Sequence, residues 1–317
     1  MSTCLVLGAT GFIGGNIART AAERGWHVQA LRRDPKSIGA IGDVDVEWIT
    51  GNLDDQSSLV AAMQGCEVVF HCAGAYPHAA RRIERYVQAA VTQMQNVLAA
   101  ARATKVDRLI YTSSFTTIGL PGEPDRLADE RDCYQLGTGD AYYEAKWAME
   151  SEALQSGLPI VVLCPAAVFG PGDVHLAVSE ILILAAKGRV PVYIDATFGM
   201  IDVRDVAAAH LSAVERGRIG ERYILSAHNL TLQEGLAHIA RMANAKPPSI
   251  KIGARVLKTI LVVGRVLPGG MLGHLRNLRY WQPLNNAKAV NELGLTSRPV
   301  DDTLRDALAW FMANGYL

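Results

Sequence analysis

Tyr142 and Lys146 are the pair of side chains with the clearest potential for proton chemistry. They lie four residues apart in a predicted helix over Tyr142–Ser156, so both side chains share one face about one turn apart. A free tyrosine has a pKa near ~10 and is a poor acid–base group at neutral pH. A neighbouring ammonium stabilises the phenolate, and lowering that pKa by about 2 units corresponds to about 2.7 kcal/mol. The spacing therefore predicts that Lys146 makes Tyr142 a usable proton donor.

Two other interpretations of this pair stay open. Tyr143 is a second phenol, although it lies only three residues from Lys146 and leaves the four-residue spacing unused. The same spacing also occurs on ordinary helical surfaces that carry no chemistry.

Ser113 and Ser114 supply hydroxyls that could act together with the tyrosine. They follow a predicted strand over Leu109–Thr112, and open α/β sheets bind ligands at the carboxyl ends of their strands. A serine at this point could hold a substrate carbonyl oxygen in line with the Tyr142 proton, or it could simply cap the strand. Two independent features at compatible positions favour the first interpretation.

A glycine-rich turn near the start of the chain is typical of a dinucleotide site. Gly8 allows a tight turn, Gly11 lets the backbone approach a pyrophosphate, and Gly14 lets the following helix pack closely on the sheet. The N–H groups and the positive end of that helix then receive phosphate charge. Three glycines could also form a plain turn, but the strand before them and the helix after them favour a nucleotide loop.

The elements that must position these residues alternate between strand and helix through the first half of the chain. The predicted strands are Cys4–Leu7, Val28–Arg32, Val46–Ile49, Val68–Cys72, Leu109–Thr112 and Ile160–Leu163. The predicted helices between them are Gly14–Arg24, Ser57–Gln64, Arg81–Ala103 and Tyr142–Ser156. Strands this apolar, separated by helices, predict a parallel sheet covered on both faces. The expected fold class is therefore α/β, a Rossmann-type doubly wound parallel sheet with a smaller C-terminal substrate lobe.

The pattern changes after Pro165, where Gly170-Pro171-Gly172 interrupts the alternation. Helices are still predicted at Asp205–Glu215, Thr231–Met242 and Asp301–Met312. We expect residues 1–165 to form the dinucleotide-binding domain and residues 166–317 to be mainly a substrate-binding lobe. Within the second part, residues 202–226 are expected to return to the first domain.

Composition excludes several classes of function. The formal net charge of +0 gives no electrostatic footprint for nucleic acid. The five cysteines contain no Cys-x-x-Cys pair, so we expect reduced thiols in a cytoplasmic protein. The eight histidines show no metal-ligand spacing, and no metal is expected. The glycine turn arrives before a signal peptide could be complete, and Val256–Leu267 is too short and too interrupted to cross a bilayer.

Taken together, the motifs resemble the extended short-chain dehydrogenase/reductases, close in pattern to the dihydroflavonol reductase-like and hopanoid-associated sugar epimerase-like members. The resemblance covers nearly the whole chain. Its markers are Gly8-Ala9-Thr10-Gly11-Phe12-Ile13-Gly14, Gly51-Asn52-Leu53-Asp54-Asp55, Val69-Phe70-His71-Cys72-Ala73-Gly74, Tyr111-Thr112-Ser113-Ser114, Tyr142-x-x-x-Lys146, Pro165-Ala166-Ala167-Val168-Phe169-Gly170-Pro171-Gly172 and Asp202-Val203-Arg204-Asp205-Val206.

The resemblance implies a role for each matching residue. Tyr142 would be the acid/base, Lys146 would hold the nicotinamide ribose, and Ser114 would be the serine because it lies five residues before Gly119. Ser113 is the second choice. Asn52 and Leu53 would contact adenine, and Pro165 and Val168 would lie near the nicotinamide. The full set of implied cofactor contacts is Gly8, Thr10, Gly11, Phe12, Ile13, Gly14, Arg32, Arg33, Asn52, Leu53, Ala73, Gly74, Tyr142, Lys146, Pro165 and Val168.

The chain departs from the family pattern at two places. Asn52 stands where the family usually has Asp, although an amide can still bond adenine. Many members also carry Asn-Val-x-Gly-Thr on the helix after the fourth strand, and the matching residues here are Ala90-Val91-Thr92-Gln93-Met94. Ala90 has no side-chain amide for any proton relay or backbone support that this asparagine supplies elsewhere.

The end of the second strand bears on the choice of cofactor. An acidic residue there would bond a ribose 2′-hydroxyl, whereas a guanidinium would pair with a 2′-phosphate. Arg33 occupies the position at which NADP-using reductases of the family carry Arg-Asp-Pro, and Arg32 adds a second cation. We therefore favour NADP(H) over NAD(H). Asp34 could instead read the ribose, which would give NAD.

A few residues of the sequence could line a substrate pocket, and most of them have an alternative structural role. A basic run, Arg81-Arg82-Ile83-Glu84-Arg85, could meet an anionic group but is more typical of a solvated helix start. Arg204 is a candidate because its motif lines the substrate cleft in relatives. Tyr76, Phe115, Phe169 and Met200 could form an apolar pocket or could belong to the core.

We expect an NADP(H)-dependent oxidoreductase that transfers hydride between nicotinamide and a ketone, aldehyde or secondary alcohol by a Ser-Tyr-Lys mechanism. The alternative is an NAD(P)-dependent nucleotide-sugar epimerase or dehydratase, which would need a cationic clamp such as Arg255, Arg265, Arg276 or Arg279. A protein that keeps only the nucleotide fold is disfavoured because both Tyr142 and Lys146 are present. A homodimer paired through Arg81–Ala103 and Tyr142–Ser156 is expected from the resemblance.

Overall fold

Seven parallel strands form the central sheet of the protein. The structure is a computed structural model that describes residues 2–74, 83–123, 125–176, 179–253, 256 and 281–317. The strands of this sheet are β1 (Thr3–Leu7), β2 (His27–Arg32), β3 (Glu47–Thr50), β4 (Val68–His71), β5 (Arg108–Thr112), β6 (Ile160–Pro165) and β10 (Arg222–Leu225). Their spatial order is β3-β2-β1-β4-β5-β6-β10. β1 lies between β2 and β4, and its Leu7 is registered against Leu31 of β2 and His71 of β4.

Helices cover both faces of this sheet. They are α1 (Phe12–Glu23), α2 (Gln56–Met63), α3 (Ile83–Thr104), α4 (Ala141–Gln155) and α6 (Val203–Arg216). α1 packs against α6, while α2, α3 and α4 pack side by side. Right-handed crossovers place these two groups on opposite faces. β1, β4 and β6 are buried on both sides, which is why they are almost continuously apolar. The predicted doubly wound parallel sheet is confirmed.

A second, smaller unit follows β6. β7 (Ala167–Phe169) pairs in parallel with β9 (Thr197–Asp202), and β11 (His228–Thr231) pairs antiparallel with β9. β8 (Val192–Tyr193) and β12 (Ile250–Lys251) form a separate short pair. The helices here are α5 (Ser179–Ala186), α7 (Leu232–Met242) and α8 (Val300–Ala313). A second hydrophobic core, which includes Phe169, Met200, Leu304 and Phe311, holds this unit together.

The chain returns to the main sheet between the elements of the second unit. α6 lies on α1, and β10 adds to the main sheet beside β6, with Arg222 registered against Val162. The segment from Val203 to Leu225 is therefore part of the same layered structure as the first 165 residues. None of the helices in the described part of the chain is long and apolar enough to cross a membrane.

The glycine turn between β1 and α1 is packed so closely that side chains would not fit. Gly8 adopts a φ of +92°, and a Cβ there would lie 2.8 Å from the Ala73 backbone nitrogen. A Cβ on Gly14 would overlap the Gly8 carbonyl oxygen and would lie 2.7 Å from the Gly8 carbonyl carbon. The turn therefore depends on glycine at both positions to join β1, α1 and the end of β4.

Replacing Gly14 with alanine is expected to destabilise the fold by about 1–3 kcal/mol, because the new methyl group meets backbone that cannot give way. Urea or thermal unfolding measures this loss. Gly122→Ala is the matched control, since a Cβ there meets nothing within 4 Å, and its effect should stay within about 0.5 kcal/mol. Equal shifts for the two variants would contradict the close packing of the turn.

Candidate active site

Tyr142 and Lys146 line the same cavity between α3 and α4. The cavity has a volume of about 170 Å³, and the residues around it are Gly74, Tyr86, Ala89, Ala90, Gln93, Tyr142, Ala145, Lys146 and Met149. Asp140 fixes the start of α4, because its carboxylate oxygen Oδ1 accepts the backbone N–H groups of Tyr142 (2.9 Å) and Tyr143 (3.2 Å). The predicted four-residue spacing therefore becomes a shared helix face beside the end of β4.

Lys146 is a buried ammonium with a defined partner. Lys146 is only 5% exposed, and its Nζ donates a hydrogen bond to the Thr112 carbonyl oxygen at 3.0 Å. Nζ also lies 5.3 Å from the centre of the Tyr111 ring. Burial lowers the pKa of Lys146 to about 8, against an opposing contribution from the Glu150 carboxylate and nearby thiols. The lysine is therefore held at the end of β5, and its ammonium loses its proton at a lower pH than that of a free lysine.

The two neighbouring tyrosines have different surroundings. Tyr143 is 3% exposed, and its ring packs 5.9 Å from the ring of Tyr134. Tyr142 is half-buried and contributes to the wall of the cavity that contains Lys146. The structure thus separates the two phenols: Tyr142 is at the cavity, and Tyr143 packs in an aromatic cluster.

The two serines also differ in what their hydroxyls contact. Ser113 donates a short hydrogen bond to the Glu150 carboxylate oxygen Oε2. Ser114 caps a 3-10 turn, Phe115–Thr117, and its hydroxyl oxygen accepts the Thr116 backbone N–H at 3.2 Å. That bond uses an oxygen lone pair, so the Ser114 O–H can still donate to another group. α4 packs on this turn, so the turn that Ser114 caps lies against the helix that carries Tyr142 and Lys146.

His210 supports the end of β5 and was missed by the sequence analysis. Its Nδ1 lies 2.8 Å from the Val206 carbonyl oxygen, so Nδ1 must carry the proton and donate. Its Nε2 then accepts from the Thr112 hydroxyl at 2.8 Å. Burial lowers the pKa of His210 to about 4, so the ring is neutral. The sequence does not indicate this role, because His210 and Thr112 are 98 positions apart.

The glycine turn fits a dinucleotide. α1 begins after Gly11, and no side chain in the described ranges caps its first turn, which also lacks acidic residues. Its N–H groups and the positive end of its dipole are therefore suited to a pyrophosphate. Thr10, Phe12 and Ile13 are half-buried around this turn, and a Cβ on Gly74 would lie 3.9 Å from Lys146 Nζ. The turn and the lysine thus lie along one edge of the sheet.

α3 holds the loop that the resemblance assigns to adenine. Leu53 is buried and Asn52 is exposed in this loop. Asn96 Nδ2 donates to the Leu53 carbonyl oxygen at 2.9 Å, and Gln93 Nε2 donates to the Asp54 carboxylate at 2.9 Å. Gln93 lies at the glycine position of the Asn-Val-x-Gly-Thr pattern that the resemblance implies, and its amide side chain makes this contact. The sequence showed the substitution but not the partner.

The cations at the end of β2 are not equivalent. The Arg32 guanidinium lies 4.7 Å from the centre of the Trp48 ring, whereas Arg33 is exposed. Asp34 accepts the Lys36 backbone N–H at 2.9 Å, which ties its carboxylate to a local turn. Arg33 is therefore the residue at this strand end whose guanidinium extends into solvent.

The remaining candidates have varied surroundings. Arg204 bonds the Asp202 carboxylate and reaches Asp306 of α8 at 2.6 Å, so its guanidinium is occupied by structural ion pairs. Phe169 and Met200 belong to the second hydrophobic core, and Phe115 packs against the main one. Pro165 ends β6, and Val168 is buried in β7. Arg85 is exposed on α3.

Several sequence candidates lie outside the described residues. They are Tyr76, Arg81, Arg82, Arg255, Arg265, Arg276, Arg279 and nearly all of Val256–Leu267.

Comparisons with known proteins identify the family. A family model described as "NAD dependent epimerase/dehydratase family" matches residues 4–226. A protein of Synechocystis sp. named dihydroflavonol 4-reductase is 33% identical to this chain over 333 residues. The match covers 100% of this chain and 97% of the length of that protein. The crystal structure of gox2253 has a TM-score of 0.88 and 30% identity, covering 100% of this chain and 99% of that chain. A nucleoside-diphosphate-sugar epimerase from Pseudomonas aeruginosa has a TM-score of 0.86 and 26% identity, with coverage of 100% and 99%.

The structural neighbours cover the whole length of this chain, and the resemblance expected from the sequence motifs is confirmed. With its glycine turn, parallel sheet and matching relatives, the chain belongs to the NAD-dependent epimerase/dehydratase family of extended short-chain dehydrogenase/reductases.

Proposed function

We propose that the protein is an NADP(H)-dependent reductase of ketones or aldehydes that uses Ser114, Tyr142 and Lys146. The observation that carries this proposal is that Tyr142 and the buried Lys146 line one cavity with Gly74, next to the strand end that leads to Ser114. Bound nicotinamide would supply the hydride for a carbonyl carbon. We also infer that residues 1–165 hold the cofactor and that the second unit mainly shapes the substrate pocket.

Each of the three side chains has a distinct task in this proposal. The Ser114 O–H donates to the carbonyl oxygen and orients it toward α4. The Tyr142 hydroxyl gives its proton to that oxygen as negative charge develops there. The Lys146 ammonium stabilises the Tyr142 phenolate that remains, and its location beside Gly74 lets it bond ribose hydroxyls. Burial keeps these groups in a medium where their electrostatic interactions are stronger than in water.

The preference for NADP(H) rests on Arg33. An exposed guanidinium at the end of β2 can pair with a 2′-phosphate through two hydrogen bonds. Asp34 is the residue that would bind a free 2′-hydroxyl, and its carboxylate already accepts the Lys36 N–H. These contacts support NADP(H) over NAD(H).

A nucleotide-sugar epimerase is the second candidate, favoured by the structural likeness to the Pseudomonas aeruginosa epimerase. Such an enzyme would use the same three residues but would retain its cofactor through a transient oxidation. Purified protein that holds NAD tightly supports the epimerase, whereas exchange of free NADPH supports the reductase. Consumption of NADPH, with NADH in parallel, should be measured over aldehydes, ketones and diketones.

Tyr142→Phe is expected to lower kcat by roughly 10²- to 10⁴-fold, because it removes the proton donor while keeping the ring. NADPH binding, followed by its fluorescence, should stay within a few-fold of the wild type. Tyr143→Phe is the matched control and should keep most of the turnover, since that ring packs away from the cavity. A similar loss in both variants would remove Tyr142 from its assigned role.

The pH dependence of kcat/KM should follow the ionisation of Lys146. Its ammonium is needed, and its pKa is lowered to about 8 by burial, so kcat/KM should fall as the pH rises above about 8. Lys146→Arg retains a charge that is not lost in this range, so the alkaline fall should move to higher pH while some activity remains. An unchanged profile in Lys146→Arg would assign the ionisation to another group.

Arg33→Ala should weaken the use of NADPH and leave the use of NADH unchanged. Loss of a charge-assisted contact of about 1.5–3 kcal/mol corresponds to a roughly 10- to 100-fold rise in the KM for NADPH. Arg24→Ala removes an exposed arginine at the end of α1 and serves as control. A parallel rise in the KM for both cofactors would overturn the 2′-phosphate assignment.

A further inference from the structure

A buried ion pair lies next to the serine turn. Glu150 of α4 is fully buried, and its Oε1 lies 2.6 Å from the Nε of Arg222, a residue of β10 whose side chain is also almost completely buried. Removing two charges from water is costly, and an apolar pair of similar size often serves stability as well. Stability alone therefore does not explain why this ion pair is present, and its contacts with neighbouring residues point to a second role.

The carboxylate of the pair holds the residue that precedes Ser114. Glu150 Oε2 accepts the short hydrogen bond from the Ser113 hydroxyl. Glu150 follows Lys146 by four residues on α4, so both side chains share one helix face. One turn of α4 thus contacts the end of β5 twice, through Lys146 at Thr112 and through Glu150 at Ser113.

The guanidinium of the pair holds the other side of Ser114. The second terminal nitrogen of Arg222 donates to the Thr117 carbonyl oxygen at 2.8 Å and contacts the Thr117 hydroxyl at 3.2 Å. Thr117 in turn bonds the Ser114 carbonyl oxygen, through its hydroxyl at 2.8 Å and its N–H at 3.1 Å. The first terminal nitrogen of Arg222 donates to the Glu130 carbonyl oxygen at 3.2 Å. Both flanks of Ser114 are therefore attached to one ion pair.

We propose that Glu150 and Arg222 are positioning residues that fix Ser114 for catalysis by holding Ser113 on one side and Thr117 on the other. The inference rests on the proposed function, in which the Ser114 hydroxyl contacts the substrate oxygen. A hydroxyl that orients a reacting group must be held within about 0.5 Å of its productive position. A displacement of about 1 Å can cost roughly 10²-fold in rate, so a rigid support of this turn has a direct catalytic effect.

The same carboxylate acts on Lys146. Burial lowers the pKa of Lys146, and the negative charge of Glu150 opposes that effect. In the described part of the chain, the titratable groups close to Lys146 or lining its cavity are His71, Cys72, Tyr86, Tyr111, Tyr142, Glu150 and Cys164. Loss of the Glu150 charge should therefore move the alkaline fall of kcat/KM to lower pH, which a purely structural role would not do.

Two variants and one control test the proposal. Ser113→Ala releases one flank and leaves the ion pair intact. The double variant Glu150→Gln with Arg222→Met removes both charges together, keeps an acceptor for Ser113 and releases the Thr117 flank. Glu152→Gln is the matched control, because it makes the same change two residues away on α4, where Glu152 contacts Gln95.

Three measurements are made on each full-length variant: hydrogen exchange at the amides of residues 116–118, NADPH affinity by fluorescence, and kinetics with 2,3-hexanedione as the carbonyl probe. Both variants should exchange at least tenfold faster at these amides and lose about 10- to 100-fold in kcat. The KM for NADPH should stay within threefold. The alkaline fall should move to lower pH in the double variant alone, and Glu152→Gln should match the wild type throughout.

Wild-type exchange and kcat in Ser113→Ala and in the double variant would overturn the proposal. A loss of kcat without faster exchange would also overturn it, because the turn would then be held by other contacts. If the double variant does not fold, Ser113→Ala decides by the same criteria. If the wild type reduces no carbonyl while exchange accelerates as expected, the reductase assignment fails and the support of the serine turn stands.

Discussion

The hydrogen bond from the buried Lys146 ammonium to the Thr112 carbonyl oxygen is the contact on which the candidate site depends. A buried ammonium needs a partner, and here the partner is backbone at the end of a central strand. That requirement brings α4 against the end of β5 in one register. Asp140 sets where α4 begins, so the same register brings Tyr142 to the cavity and sends Tyr143 into the aromatic cluster.

The strand end that accepts this bond is itself supported from behind. A neutral His210 on α6 holds the Thr112 hydroxyl, and its own orientation is fixed by the Val206 carbonyl. The glycine turn contacts the end of β4 at Ala73, so the parts of the site that we propose for phosphate and for ribose lie at the ends of the adjacent strands β1 and β4. Rigid neighbours rather than the proposed catalytic side chains themselves determine the geometry, which is how precise sites are usually built.

Patterns in the sequence correctly predicted the structural elements that depend on local periodicity. The parallel sheet, the helices of the first half and the Tyr142–Lys146 face all follow from patterns within a few residues. α5 and β9 were not predicted, because short apolar segments carry little period and their partners are distant in sequence. The sequence predicted Ser114 from its distance to Gly119, but the hydrogen bond of the Ser113 hydroxyl could not be predicted, since it depends on a Glu150 side chain on another element. Arg204 was a candidate from its motif alone, and only tertiary structure brings Asp306 within reach of its guanidinium.

The late arrival of β10 also bears on how the protein is made. While the chain emerges from the ribosome, residues up to 165 can form six of the seven strands, but β6 then has a bare outer edge. That edge is fully apolar, and unpaired edges of this kind recruit other chains. Glu150 meanwhile lacks its counter-charge. The ribosome must synthesise the entire β7–α6 segment before β10 can pair with the edge of β6. The same pairing brings Arg222 of β10 to the Glu150 carboxylate.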